Sequence, residues 1–165
     1  MLYGKVVLYI FAVQLGACAS SSVMDLDSNT IQVSTTAAPA CGQRGAQQVA
    51  IKRAAIETLQ RGYDSYVVLG AEAQNNVRVV GHTPIVANTY GSGTVNAYGN
   101  TATYRGQSNT YFSGGQPIVG GSHDQGLAIR MYRATDPEAA NAVDARRTPG
   151  PDWQKIVAKG PGATC

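Results

Sequence analysis

The sequence predicts a small α+β domain: one main helix packed on a mostly antiparallel sheet of about four strands, with a Tyr/Gly-rich hairpin extension. Three observations carry that expectation. Residues 43–61 hold an uninterrupted stripe at helical spacing, with Ile51, Ala54, Ala55, Thr58 and Leu59 at i, i+3, i+4, i+7 and i+8. Residues 127–133 (Leu-Ala-Ile-Arg-Met-Tyr-Arg) alternate with period two, which is the signature of a half-buried strand. Between them, residues 89–121 hold Tyr90, Tyr98, Tyr104 and Tyr111 among Gly, Ser, Thr and Asn, a composition of strands and tight turns.

The elements follow along the chain. Val6 to Val13 is an apolar run of signal-sequence length, too short to span about 30 Å of hydrocarbon as a helix. It leads into Leu15-Gly16-Ala17-Cys18, which resembles the lipobox of bacterial lipoproteins. The resemblance implies cleavage before Cys18 and acylation of that cysteine, so that residues 1–17 are a signal peptide. Each buried methylene contributes about 0.8 kcal/mol, so two or more acyl chains anchor stably. Residues 18–29 lack periodicity and read as a lipidated flexible tether, leaving 30–165 as a single domain. Ala19 follows the lipid cysteine where Asp would favour inner-membrane retention in enteric bacteria, so the resemblance implies the periplasmic face of the outer membrane.

Ile31 and Val33 share one face of a short alternating run, the expected first strand. The main helix over 43–61 ends at Gly62, placed for a left-handed cap, with Arg61 at the negative end of the dipole. Tyr66-Val67-Val68-Leu69 is a buried strand, and Val77 to Val80 a shorter one. Residues 89–121 read as an exposed, twisted hairpin or as a mobile loop. Asp136-Pro137-Glu138 is expected to open a short helix running to about Arg146. A last helical turn or two is expected within Asp152 to Lys159, around Trp153, Ile156 and Val157.

The stretch Ala-Ala-Ile-Glu-Thr-Leu-Gln-Arg-Gly-Tyr-Asp-Ser-Tyr-Val-Val-Leu over 54–69, the Tyr-rich insert, the Leu-Ala-Ile-Arg-Met-Tyr strand and Asp144-Ala145-Arg146 follow the lipobox. Together they resemble a family of small proteobacterial lipoproteins of unknown function. The resemblance implies an envelope location and an α+β outline, and it brings no reaction, ligand or catalytic residue.

Composition narrows the function classes. The net charge is +3, and no basic cluster accompanies it, which argues against nucleic acid. With Cys18 assigned to lipid, Cys41 and Cys165 are an even pair in an oxidising compartment and are expected to form a disulfide; two free thiols or an intermolecular bridge are the competing readings. The chain-entropy model gives roughly 4–5 kcal/mol for so long a loop, less any strain.

Candidate chemistry is sparse. Ser122, His123 and Asp124 supply the residue types of a hydrolase consecutively, yet neighbours in sequence point in different directions. His82, His123 and Asp124 lack metal-ligand spacing, so no metal or other cofactor is expected. Tyr98, Tyr104 and Tyr111 are the candidate contacts for a protein partner or a glycan, against cross-strand pairing within the hairpin itself. The leading expectation is a lipid-anchored envelope protein with a structural or protein-interaction role and no catalysis. A glycan- or peptidoglycan-binding module and a hydrolase around His123 are the alternatives; no small-molecule ligand is legible.

Overall fold

The structure is a computed structural model, and it describes residues 18–160. The chain divides into two units. The first comprises the chain up to Asn75 together with the stretch from Ser122 onward; the second is Asn76–Gly121.

The first unit is a five-stranded antiparallel sheet with a helix on one face. Its strands β1 (Ala19–Asp27) and β2 (Thr30–Ala37) form a hairpin, with a bulge between Asp25 and Asp27. A 3-10 turn at Pro39–Cys41 leads into helix α1 (Gly42–Gln60). Strand β3 (Ser65–Asn75) follows the turn at Gly62, whose φ of 79° is the left-handed conformation expected there. After the inserted unit, whose strands are β4 (Arg78–His82), β5 (Val86–Tyr98), β6 (Thr101–Ser113) and β7 (Pro117–Gly120), the chain returns as β8 (His123–Tyr132). The order is β1-β2-β8-β3 and then the two-residue β9 (Val143–Asp144).

Alternation builds the core. In β2 and β8 the odd-numbered residues Ile31, Val33, Leu127, Ile129 and Met131 face α1 and are buried, while Gln32, Ser34 and Arg130 lie on the other face. The helix presents Ala50, Ala54 and Ala55 to this layer, and small residues let it lie close to the strands. Fully burying side chains of the Ile and Leu class contributes about 1.5–3 kcal/mol each, so this layer dominates the unit's stability. A second, smaller cluster of Ala19, Ala37, Ala46 and Val49 fills the end near the start of α1. Ile56, off the expected stripe, is also fully buried. Beyond the sheet, helix α2 (Trp153–Lys159) packs beside α1, where Gln60 Nε2 donates to the Val157 carbonyl at 2.9 Å.

Two expectations are corrected. Residues 19–27 are not a tether but the edge strand β1, paired along its length with β2. Polar as it is, the segment is held by docked ends. Ala19 is buried, Arg61 pairs with Asp25 at 2.7 Å, and the Asn29 carbonyl accepts from Met131 N–H at 2.8 Å. The expected helix over 136–146 is instead a 3-10 turn at Pro137–Asn141, then β9. Ala145 N–H donates to the Asp64 carbonyl at 3.0 Å, and β3 captures the chain as its outer partner, which a helix there would prevent.

The second unit is a ribbon. Strands β4 (Arg78–His82) and β7 (Pro117–Gly120) form one two-stranded segment. Strands β5 (Val86–Tyr98) and β6 (Thr101–Ser113), thirteen residues each, form the other. Thr83 bridges the stretch between them: its N–H donates to the Gln116 carbonyl and its hydroxyl accepts from Gln116 N–H, both at 2.9 Å. Of the two readings of this region, hairpin or loop, the hairpin is what forms.

Candidate functional site

Three places hold the residues singled out by the sequence. The first is the beginning of β1. Cys18 is exposed and its carbonyl accepts from Ala38 N–H at 2.8 Å, so the backbone at Cys18 is already part of the folded sheet. Cys41 stands beside it, with Sγ 3.3 Å from the Cys18 carbonyl oxygen. Cys165 and residues 1–17 lie outside the described residues, and the signal peptide and the Cys41–Cys165 pairing stay proposals.

The second place is the start of β8. Ser122 Oγ is bonded to Asp124 Oδ2 at 3.2 Å, so the hydroxyl and the carboxylate meet each other without the imidazole between them. His123 and Asp124 are consecutive strand residues and alternate in direction. A nucleophile–base–orienter relay needs the base in the middle. Ser122-His123-Asp124 does not have that order in space. Nearby, on the face of the sheet opposite α1, Gln32, Ser34, Thr36, Glu72, Gln74 and Asp124 rim an open depression of about 600 Å³. Its floor is Gly126, where the sheet lacks a side chain. Gln125, on the α1 side, ties the strands beneath it: its Nε2 donates to the Glu72 carbonyl at 2.9 Å.

His82 belongs to the ribbon unit and His123 to the sheet unit. Among the described residues no group of three or more His, Cys, Asp or Glu is placed to hold a metal ion.

The third place is the β5–β6 ribbon. Its register runs from Val86 opposite Ser113 to Tyr98 opposite Thr101, closed by the two-residue turn Gly99-Asn100. Gly99 has φ 55° and Asn100 does not share the positive φ, the pattern of a type II′ turn whose twist matches that of the strands. Every residue of both strands is exposed.

Register decides which tyrosines share a face. Tyr98 and Tyr111 lie on one face and Tyr104 on the other. Tyr98 pairs opposite Thr101 at the tip while Tyr111 pairs opposite Asn88 near the base, so the two stand about ten residues, roughly 33 Å, apart. The three candidate tyrosines therefore do not form one stacking platform. The aromatic pair that does form is Tyr90 with Tyr111, ring centroids 6.3 Å apart and tilted by 59°. Tyr90 opposes Asn109, so the pair is diagonal. Only the register reveals it. Tyr104 lies across its own face, over Gly93 and Gly106, where no Cβ would fit at either position. An aromatic ring covering strand glycines in this way restores contact that the glycines lack.

The faces also differ in chemistry. One carries Asn88, Asn96, Gln107, Asn109 and Arg105 with hydroxyl residues and three tyrosines. The other carries only Ala, Gly, Val95, Ser, Thr, Tyr104 and Phe112, without a charge or an amide.

Comparison of the chain with family models, curated proteins and solved structures returns no match.

Among the described residues two ion-pair clusters lie in the sheet unit: Arg53, Glu57, Arg61 and Asp25 on α1 and β1, and Arg146 with Asp64. Arg146 hydrogen-bonds Asp64 Oδ1 and stacks its guanidinium over Trp153 at 5.5 Å. Ala134 N–H donates to the other Asp64 oxygen at 2.9 Å. Both donors favour the ionised form, led by Arg146, and hold the Asp64 carboxyl below the usual carboxylate range. The second cluster fastens the segment after β8 to the turn before β3.

Proposed function

We propose that this chain is a bacterial envelope lipoprotein, held by lipid on Cys18 at the periplasmic face of the outer membrane, with a structural or protein-interaction role and no catalysis. The observation that carries the reading is the agreement between motif and fold at one residue. The lipobox ends at Cys18, which is exposed, and the next residue, Ala19, is buried as the first of β1. Cleavage before Cys18 leaves the described sheet intact and presents Cys18, the residue before β1, for acylation. The resemblance to small proteobacterial lipoproteins supports the same location. The exposed ribbon supports an interaction role, since a two-stranded ribbon is marginally stable alone in water and gains from a partner. A disulfide between Cys41 and Cys165 belongs to this proposal.

The hydrolase alternative loses support from the direct Ser122–Asp124 bond. The glycan-binding alternative loses support from the separation of Tyr98, Tyr104 and Tyr111 over two faces. Mass spectrometry of the mature N-terminal peptide from bacterial membranes tests the anchor. A peptide beginning at Cys18 and carrying diacylglycerol is expected; an unmodified Cys18, or cleavage elsewhere, removes it.

A further inference from the structure

We propose that the β5–β6 ribbon enters a bilayer as the transmembrane hairpin of an oligomeric β-barrel, its charge-free face in hydrocarbon and its two edges paired with those of neighbouring copies of this chain. The proposal takes its membrane from the lipid-anchored reading and adds an activity that reading lacks.

Length is the first argument. A membrane-spanning strand needs about 9–11 residues, and β5 and β6 have thirteen each. The charge-free face runs from Ala87 opposite Phe112 to Ala97 opposite Ala102. Those levels are ten residues apart, a rise of about 34 Å. At the usual strand tilt of about 40° that becomes roughly 26 Å along the membrane normal, matching the apolar band of such barrels at about 25 Å.

Segregation is the second. Lipid-facing and lumen-facing residues alternate in a membrane barrel, apolar outward and polar inward. The ribbon segregates its charge and its amides in both strands at once, and the hydroxyls on the charge-free face are few, with Thr89 and Thr110 bonded to each other at 2.9 Å and Ser108 beside Gly91. Arg105 and the four amides Asn88, Asn96, Gln107 and Asn109 all fall on one face, and none falls on the other. Val95, Tyr104 and Phe112 on the charge-free face are all more than 60% exposed, at 66%, 69% and 74%.

Edges supply the third argument and the oligomer. In hydrocarbon every backbone N–H and C=O must be bonded within protein, so an open two-stranded ribbon is forbidden and a closed barrel is the strand solution. Each copy offers two outer edges of equal length, and a ring of copies pairs every β5 with a neighbour's β6. A two-residue turn at Gly99-Asn100 is short enough to cross with the ribbon.

The test uses the protein extracted from bacterial membranes and placed in planar bilayers of phosphatidylethanolamine and phosphatidylglycerol, reading conductance per mass of protein, with crosslinking for the oligomer. Three proteins are compared: wild type, Val95→Asp on the charge-free face, and Asn96→Asp, which puts the same charge on the polar face one residue away. Discrete conductance and a crosslinked ring are expected for wild type and for Asn96→Asp. Val95→Asp should lower conductance at least about tenfold while the melting of the sheet unit stays unchanged, because a charge on the lipid face is penalised and one in the lumen is not. Wild type that floats with vesicles but never conducts overturns the proposal, as does equal conductance from both variants or equal loss in both. Copies that associate face to face in water, or ribbons captured only by a glycan, overturn it too. Flotation and the mass of Cys18 read the anchor separately, so an unacylated Cys18 sinks the anchor reading and leaves the conductance result to decide the ribbon.

Discussion

The two units of this chain are both antiparallel β-structure, and they differ in what holds their strands. In the sheet unit β2 and β8 each have a neighbour on both edges and a helix over one face. In the ribbon unit each strand has one neighbour, and β5 and β6 have no buried residue. Burial, which contributes roughly 25 cal/mol per Å² of apolar surface, is thus concentrated in one unit. The ribbon relies on cross-strand contacts such as Tyr90–Tyr111 and the Thr89–Thr110 hydroxyl bond at 2.9 Å, each of a few tenths to about 1 kcal/mol. A fold that keeps its stability in one unit can spend the other on something else.

The largest effect that separates the two comes from Ile129, fully buried on the central strand β8. Ile129→Ala should destabilise the sheet unit by about 2–5 kcal/mol in urea unfolding, through lost burial and the cavity left behind. The same truncation at exposed Val95, Val95→Ala, should leave that midpoint unchanged. A smaller effect is expected from replacing residues 76–121 by a short Gly-containing turn. The sheet unit should then fold with equal or higher stability, raised by up to about 2 kcal/mol because a short connection closes at less entropic cost. Failure to fold would mean that the ribbon supports the sheet.

The smallest effect concerns pH. Asp64 has its folded pKa held below the unfolded value, so the stability it brings is present above about pH 4 and is lost as the pH falls through the lower folded value. Unfolding midpoints followed from pH 6 to pH 2 should therefore drop more in wild type than in Asp64→Asn. Parallel curves would show that the Arg146 pair contributes nothing.

The same division governs what was legible in the sequence. Where burial is one-sided and periodic, pattern sufficed: the helix at Gly42–Gln60 and the alternation of Leu127, Ile129 and Met131 read directly. The antiparallel sheet has five strands against about four expected: the serine-rich β1 and the two-residue β9 are additional, and the strand expected at Val77 to Val80 is instead β4 of the ribbon unit. β1 was illegible because its serine-rich run shows no period; backbone pairing with β2 holds it, and Arg61 on Asp25 adds a distant tie that a local window does not contain. The 136–146 segment carries genuine helix-start residues, and β3 outcompetes them by capturing β9. Ile56 falls outside the stripe read from the sequence and is nevertheless fully buried. In the ribbon the hairpin was legible from its turn residues, but the distribution of tyrosines over faces depended on a register that no buried position announces.

Amide hydrogen exchange, compared between residues 18–165 in water and the anchored protein in native membranes, tests most directly the claim that one unit is self-sufficient and the other awaits a partner. Amides of β2, β8 and α1 should exchange slowly in both settings. Those of residues 86–98 and 101–113 should exchange rapidly in water and become protected in the membrane. A ribbon already protected in water, or one still unprotected in the membrane, would contradict that division.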